Sequence, residues 1–366
     1  MMLRAGIVGL PNVGKSTLFN AITKAEALAA NYPFATIEPN VGVVYVHDER
    51  LYELEKIYKP KRVIPTAYEF IDIAGLVKGA SKGEGLGNQF LAHIREVDAI
   101  CQVVRCFEDT NITHVDGKVD PIRDVETIEL ELNLADLESV TKRIQRIEKK
   151  AKAKVKEALD ELEVLNLIKE ALDENKHLDV SSLTIEQQKM VKNFNLLSFK
   201  PMIYIANVSE EDLMNPETNI HYQNLVEYAK ENHKEVVLIS AQVEMEIAHL
   251  EHADQVQFLE AYGLEESGLN QVIKKSYELL GLQTYFTAGE QEVRAWTFIK
   301  GMKAPQCAGI IHTDFERGFI KAETLSYNDL MKYGSPQLAK EAGRVRLEGK
   351  DYVTQDGDIM LFRFNV

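Results

Sequence analysis

A glycine-rich segment near the N-terminus carries the residue types that bind phosphate. Gly9 to Ser16 read GLPNVGKS and match the pattern G-x-x-x-x-G-K-[ST]. The glycines let the backbone wrap a phosphate, Lys15 can reach the β- and γ-phosphate oxygens, and the Ser16 hydroxyl can bind Mg²⁺. The segment follows a predicted strand and opens a predicted helix, as this motif requires. We therefore predict a nucleoside triphosphate site, with Lys15 also catalytic, formed by Gly9, Asn12, Val13, Gly14, Lys15, Ser16 and Thr17.

A second segment, FIDIAG, supplies the next part of such a site. Asp72 ends an apolar run and Gly75 follows three residues later, so Asp72 is predicted to hold Mg²⁺ through water while the Gly75 amide contacts the γ-phosphate. Thr36, in the polar segment 31–40, is predicted to give Mg²⁺ a second hydroxyl; the alternative is a loop threonine that bonds its own backbone. The glycine-rich stretch 79–87 fits a loop that orders around the γ-phosphate, or a plain flexible loop.

The segment NVSE, Asn207 to Glu210, stands where a guanine-binding protein would carry N-K-x-D. Guanine is held by an aspartate that accepts from N1–H and the 2-amino group, beneath a lysine stem. Val208 and Glu210 replace these two residues, so a contact worth roughly 1 to 3 kcal/mol is misplaced or absent, whereas an Asn207 amide can pair with adenine. The sequence therefore favours ATP over GTP. Ser240 and Ala241 in LISAQ form either a further base-contacting loop or a simple strand-to-helix turn.

The residue after Asp-x-x-Gly, where Ras-type enzymes place a water-orienting glutamine, is Leu76. A polar group must therefore come from another segment, or turnover must be slow. His114 in NITHVDG is the best candidate, because an imidazole can orient or deprotonate water; a surface histidine without this role is the alternative. Asn12 can help to place K⁺ against the phosphates, or it can be an ordinary turn residue.

Alternating apolar and helical segments predict the elements that position these residues. Strand-like runs alternate with helical patterns over the first hundred residues, and strand-like PMIYIAN and EVVLISA follow residue 200. This rhythm predicts an α/β domain with a mostly parallel sheet, in which both returning strands are interior because they are fully apolar. Residues 122–200 contain no Gly or Pro, and apolar residues recur every three or four positions, which predicts an inserted helical hairpin arm. After Gly281, short strand-like pieces predict a small β-rich domain.

These patterns place a nucleotide-binding domain at 1–124 and 200–281, the arm at 125–199 and the β-rich domain at 282–366.

The 366 residues carry a formal net charge of -15, which argues against wrapping nucleic acid with the whole surface. No DNA or membrane partner is expected, and the absence of a secretory or membrane-spanning run predicts a cytoplasmic protein. Cys101, Cys106 and Cys307 form no disulfide or zinc pattern.

A local basic cluster stands out in this acidic chain. Between positions 142 and 156 there are eight basic residues and one acid, Glu148, near the expected tip of the arm. The cluster predicts contact with an RNA phosphate backbone. A solvated helix surface is the alternative. The basic residues are Lys142, Arg143, Arg146, Lys149, Lys150, Lys152, Lys154 and Lys156.

Four segments resemble the signatures of one known family. NVGKS, NVSE, ITHVDG at 112–117 and GLVKGASKGEGLGNQFL at 75–91 resemble those of the Obg-like ATPase family of the YchF type. The resemblance spans the chain, because that family has a P-loop NTPase domain of the Ras-like G type, an inserted helical arm and a C-terminal TGS domain of the β-grasp type. It implies ATP as substrate, a catalytic role for His114, and binding to the ribosome or its RNA through the arm and the TGS domain.

Two other readings of the sequence remain open. In one, the protein is a GTPase with relaxed base choice, in which Glu210 still reaches guanine. In the other, it is an RNA-binding scaffold that uses the nucleotide only as an occupancy sensor.

Overall fold

The computed structural model describes residues 3–29, 40–75, 86–115, 117–176 and 178–365. The chain divides into two compact units, Met1–Gly42 with Phe70–Leu269 and Val43–Glu69 with Asn270–Val366. These units do not follow the predicted boundaries, because residues 43–69 and 270–281 group with the C-terminal residues rather than with the nucleotide-binding domain. The three predicted domains stay a prediction.

Strands alternate with helices through most of the described chain. The strands are β1 Arg4–Val8, β2 Val41–Tyr45, β3 Val63–Ile64, β4 Ala67–Asp72, β5 Ala99–Arg105, β6 Met202–Asn207, β7 Glu235–Ile239, β8 Leu282–Ala288, β9 Val293–Ile299, β10 Phe319–Ser326, β11 Arg346–Glu348 and β12 Asp358–Phe364.

Among the described helices, the two longest lie between β5 and β6. The helices are α1 Lys15–Ala29, α2 Glu49–Tyr58, α3 Leu86–Glu96, α4 Pro121–Lys152, α5 Lys156–Asp173, α6 Ile185–Phe194, α7 Glu210–Met214, α8 Ile220–Glu231, α9 Ala241–Ile247, α10 His252–Ala261, α11 Gly268–Leu279, α12 Ala304–Ile311, α13 Thr313–Arg317, α14 Tyr327–Tyr333 and α15 Pro336–Glu341.

The first sheet has the strand order β2-β4-β1-β5-β6-β7. The pairs β1–β5, β5–β6 and β6–β7 are parallel, and every residue of β5 and β6 is buried, as expected for interior parallel strands. The register sets Arg105 beside Asn207, and Asn207 beside Ile239. The loops that follow these strands therefore meet at one edge of the sheet.

The prediction that both returning strands are interior is wrong for β7. In the described residues β7 ends the strand order, and its first residue, Glu235, is exposed. Helix α8 contacts β7, so apolar residues of β7 can be buried against a helix on a face of the sheet. An apolar run alone does not show whether a strand also has a neighbour at each edge.

The predicted arm forms a helical hairpin. Helix α4 begins after Asp120, whose side chain accepts a hydrogen bond from the Arg123 amide, and the chain turns at 153–155 into α5. Buried apolar residues that include Val140, Val164 and Ile168 join α4, α5 and α6. At the base, the Asp136 carboxylate accepts from the backbone amides of residues 197 and 198 at 2.9 and 2.8 Å.

The second unit contains a sheet with the order β11-β10-β12-β8-β9-β3. Successive residues of its strands point to opposite faces. Phe286 belongs to a buried cluster with Leu51 and Leu54 of α2, whereas Tyr285 belongs to a second cluster with Cys307 of α12. This sheet thus has helices on both faces. No helix in the described part of the chain is long and apolar enough to cross a membrane.

Candidate functional site

The loop between β1 and α1 has the backbone that its sequence requires. Asn12 and Gly14 have φ angles of 64° and 94°, in the left-handed region. A Cβ atom at Gly14 would lie 2.2 Å from Asn207 Nδ2, so a larger residue at position 14 would clash with the Asn207 side chain. A Cβ at Gly9 would lie 2.9 Å from the Val103 carbonyl oxygen. Both glycines are therefore needed for close backbone packing.

Helix α1 begins at Lys15 and directs its first turn toward this loop. Ser16 and Thr17 are exposed there, whereas the Val13 side chain is buried. At Val13, a ligand can therefore contact the backbone but not the buried side chain. The amides at the start of a helix of this length favour an anion such as a phosphate.

The second predicted segment lies against the same loop. Lys15 Nζ donates a hydrogen bond to Asp72 Oδ1 at the end of β4, and the two side chains are 10% and 16% exposed. A Cβ at Gly75 would lie 3.3 Å from the Gly9 carbonyl oxygen. The structure thus brings together Lys15, Asp72 and Gly75. Thr36 and Leu76 lie outside the described residues, as does most of the stretch 79–87.

Asn207 connects three loops at the edge of the sheet. Its Nδ2 donates to the Val13 carbonyl oxygen at 2.8 Å, and its Oδ1 accepts from the Ala241 amide at 2.9 Å. The residue is 3% exposed. One Nδ2 hydrogen and one lone pair of Oδ1 remain beyond these two bonds. Asn207 therefore fixes the position of the phosphate loop at Val13 relative to the predicted base-contacting loop at Ser240 and Ala241.

The neighbours of Asn207 differ in their accessibility. Val208 is 2% exposed and its amide donates to the Ile239 carbonyl oxygen, whereas Glu210 is exposed as the first residue of α7. Ser240, between β7 and α9, and Ala241, the first residue of α9, are buried. The Ala241 amide is already bonded to Asn207. These contacts place the predicted base-side residues in one region.

His114 is buried rather than on the surface. Its Nε2 lies 2.9 Å from Asp124 Oδ2, and the two side chains are 4% and 3% exposed. Burial raises the pKa of the Asp124 carboxyl, and the contact with His114 opposes that rise. The surface alternative considered for His114 is therefore wrong. Asp124, in the first turn of α4, is a partner that the sequence did not indicate.

The loop that carries His114 is tied to the phosphate loop. Asn12 Nδ2 donates to the Thr113 carbonyl oxygen at 3.1 Å. Arg105, which is 1% exposed, donates to the carbonyl oxygens of Phe107, Asp109 and Ile112. A cavity of about 610 Å³ is lined by Arg105, Thr113 and His114. Arg105 thus organises this loop, and a lone arginine at the end of an apolar strand was the only sequence signal for it.

Glu210 has a partner that sequence reasoning missed. The hydroxyl of Tyr262 donates to Glu210 Oε1. Residue 262 follows α10, and no pattern in the sequence connects it with residue 210. Both residues belong to the first compact unit.

Two family models match separate parts of the chain. The one described as "50S ribosome-binding GTPase" matches residues 4–134, and a YchF C-terminal model described as "Protein of unknown function" matches residues 282–365.

Full-length relatives agree in the name they carry. Proteins named "Ribosome-binding ATPase YchF" from Bacillus subtilis and Haemophilus influenzae are 63% and 55% identical to this chain over 366 residues, covering 100% of each chain. The solved structure titled "Structure of the Schizosaccharomyces pombe YchF GTPase" is similar with a TM-score of 0.89 and 39% identity. That similarity covers 99% of this chain and 97% of the other.

Proposed function

This chain belongs to the YchF family, and we propose that it is a ribosome-binding ATPase that hydrolyses ATP slowly and accepts GTP as a weaker substrate. The observation that carries this proposal is the convergence of Lys15, Asp72 and Gly75 on one phosphate-binding loop. Relatives at 63% and 55% identity are named ribosome-binding ATPases. Slow turnover is expected because Leu76 replaces a water-orienting glutamine.

The choice of ATP is supported by the residues after β6. Val208 is buried and offers no lysine stem to cover a guanine ring, and the Glu210 carboxylate is bonded to Tyr262. The remaining Nδ2 hydrogen of Asn207 can donate to a purine N7, which adenine and guanine share. Base preference therefore depends on the missing guanine contacts rather than on a new adenine contact.

A GTPase with relaxed base choice is the second candidate function. The similar solved structure is titled a GTPase, and Glu210 keeps a carboxylate at the guanine-reading position. If Glu210 left Tyr262, both of its oxygens could face guanine.

Mg²⁺ fits the oxygen donors at the start of α1. Ser16 is exposed beside Lys15, and the Asp72 carboxylate contacts Lys15, so a hydroxyl and a carboxylate oxygen lie close to the phosphate loop. Hard oxygen ligands of this kind suit Mg²⁺. Ser16 would bind the ion directly and Asp72 through water, with Thr36 as the further hydroxyl. The ion would neutralise charge on the phosphates, and Asn12 would help to place K⁺ there.

His114 is the proposed group that acts on the attacking water. The Asn12–Thr113 hydrogen bond connects its loop with the phosphate loop, so this loop can respond to a bound triphosphate. The Asp124 carboxylate would stabilise the positive charge that an imidazole acquires with a proton. For His114 to reach the water, its ring must turn from its buried position.

We propose that the arm contacts the ribosome, and that the C-terminal residues 282–366, as a TGS domain, contact it as well. All eight basic residues of the 142–156 cluster are exposed on the arm. Arg146, Lys149, Lys150, Lys154 and Lys156 make no ion pair within the described residues, which leaves their charges available to phosphates. Their contribution is a salt-dependent contact with ribosomal RNA.

Replacement of Lys15 separates an enzyme from a nucleotide-sensing scaffold. In the Lys15→Ala variant, phosphate release from ATP should fall at least roughly a hundredfold, because a charge that stabilises the transferring phosphoryl group is lost. Lys340→Ala, an exposed lysine of the second unit, is the matched control and should keep the wild-type rate. Phosphate release that is negligible in the wild type would favour the scaffold and contradict the proposal.

A further inference from the structure

Glu210 is held in a defined position by two neighbours. Ser209 caps α7, where its Oγ accepts from the Asp212 amide at 3.2 Å, so Glu210 sits in the first turn of a capped helix. Tyr262 donates its hydroxyl hydrogen to Glu210 Oε1. The Tyr262 ring stacks on Phe258 of α10 with a centroid distance of 4.8 Å and an interplanar angle of 23°. The hydroxyl therefore reaches Glu210 from a ring whose orientation is already fixed.

This hydrogen bond competes with guanine recognition. A carboxylate that reads guanine uses its two oxygens together, one for N1–H and one for the 2-amino group. The bond to Tyr262 uses one lone pair of Oε1 and orients the carboxylate toward Tyr262, which opposes the bidentate geometry. The effect on adenine is opposite, because adenine has a lone pair at N1 that an unrestrained carboxylate would repel. When Tyr262 holds Glu210 in place, GTP binding is weakened and the repulsion between the carboxylate and adenine N1 is avoided.

We propose that Tyr262 is a specificity-determining residue, which favours ATP over GTP by holding the Glu210 carboxylate away from the Watson–Crick edge of the purine. The inference rests on the proposed function, because it takes the purine to lie beside Asn207. Tyr262 is a positioning residue that acts through Glu210 and needs no contact with the nucleotide.

The ionisation of Tyr262 is compatible with this role. The hydrogen bond to Glu210, followed by burial and by the charges of Glu210 and Glu246, raises the pKa of Tyr262 to about 12. The phenol therefore keeps its proton, and remains a donor, across the neutral range.

The Tyr262→Phe variant removes the hydroxyl and keeps the stacked ring. The dissociation constants of ATP and GTP are measured by calorimetry with Mg²⁺ in the full-length protein. The preference for ATP should fall roughly threefold to tenfold, the effect expected for loss of one hydrogen bond to a charged group that is partly exposed. An unchanged ratio of the two dissociation constants would overturn the inference.

A double-mutant cycle separates positioning from a general structural effect. In the Glu210→Ala background, Tyr262→Phe should leave the ratio unchanged, because the carboxylate that Tyr262 positions is gone. A shift of equal size in that background would contradict the inference. Phe258→Leu keeps the hydroxyl but removes the ring stacking that orients it, so it should lower the preference for ATP in the same direction as Tyr262→Phe.

The two proposals can fail separately. A wild-type chain that binds neither nucleotide would overturn the proposed function and this inference together. A wild-type chain that prefers ATP, with an unchanged ratio in Tyr262→Phe, would overturn the inference alone.

Discussion

Asn207 illustrates how far a single residue can be interpreted from its sequence context. Its position at the start of NVSE, at the end of a buried strand, predicts a base contact. Its bonds to Val13 and Ala241 could not be predicted, because both partners are far away in sequence. The predicted pairing with adenine stays a prediction. The structure adds that the same amide supports the phosphate loop, so Asn207 affects the whole site.

His114 can be tested with a variant that keeps its structural contact. In His114→Gln, a side-chain amide can still donate toward Asp124, so the free energy of unfolding should change less than in His114→Ala, which leaves a buried carboxylate without this partner at a cost of about 1 to 3 kcal/mol. Both variants should lower the single-turnover hydrolysis rate roughly a hundredfold, because neither side chain can accept a proton as imidazole does.

The control for this test is another histidine near the same loop. His221 on α8 contacts Glu108 at 3.1 Å, and His221→Ala should keep the wild-type hydrolysis rate. If both His114→Gln and His114→Ala hydrolyse ATP at the wild-type rate, the role of His114 is only to pair with Asp124. If His114→Gln is as unstable as His114→Ala, the amide does not replace the imidazole at this site.

Secondary structure elements were predicted best where the sequence pattern was long. The strand predicted for PMIYIAN, 201–207, is β6, and the residues without Gly or Pro form the helices of the arm. The apolar positions of the arm were predicted less well. Leu130 and Leu159 belong to the recurring apolar residues of the arm, yet they are 50% and 44% exposed. Leu165 of the same pattern is buried with Val140 and Val164. Spacing predicts a helix, whereas its buried face depends on the partner helix.

The end of α4 offers a direct test of RNA contact by the arm. A double variant, Lys149→Gln and Lys150→Gln, removes two exposed charges without changing a buried residue. Its binding to ribosomes, measured by co-sedimentation over a salt series, should be weaker. The slope of log affinity against log salt should become shallower by about two units if each lysine neutralises one phosphate.

The matched control changes the same charge on another arm helix. Lys189→Gln with Lys192→Gln alters exposed residues of α6, and it should leave both the affinity and the slope unchanged. Equal losses in the two double variants would mean that net charge matters rather than the α4 cluster. Binding that does not depend on salt would contradict a phosphate contact altogether.

The family of the whole molecule was predictable because four signature segments and the order of the predicted domains resemble one family. The Ras-like nucleotide domain and the family are confirmed by the full-length similarity to YchF proteins. The grouping of residues 43–69 with the C-terminal residues was not predicted. Their strand and helix patterns are as regular as those before them, but α2 and β3 belong to the compact unit of the C-terminal residues, where β3 pairs with β9. Local periodicity predicts an element without predicting which sheet it joins.

The base selectivity of hydrolysis tests the proposed function most directly. Phosphate release from ATP and from GTP is measured with the full-length protein at the same Mg²⁺ concentration, with and without ribosomes. Val208 and Glu210 replace the residues that read guanine, and a bidentate contact is worth roughly 1 to 3 kcal/mol, so we expect kcat/KM to be about tenfold or more higher for ATP. An equal or higher value for GTP would contradict the assignment of this protein as an ATPase.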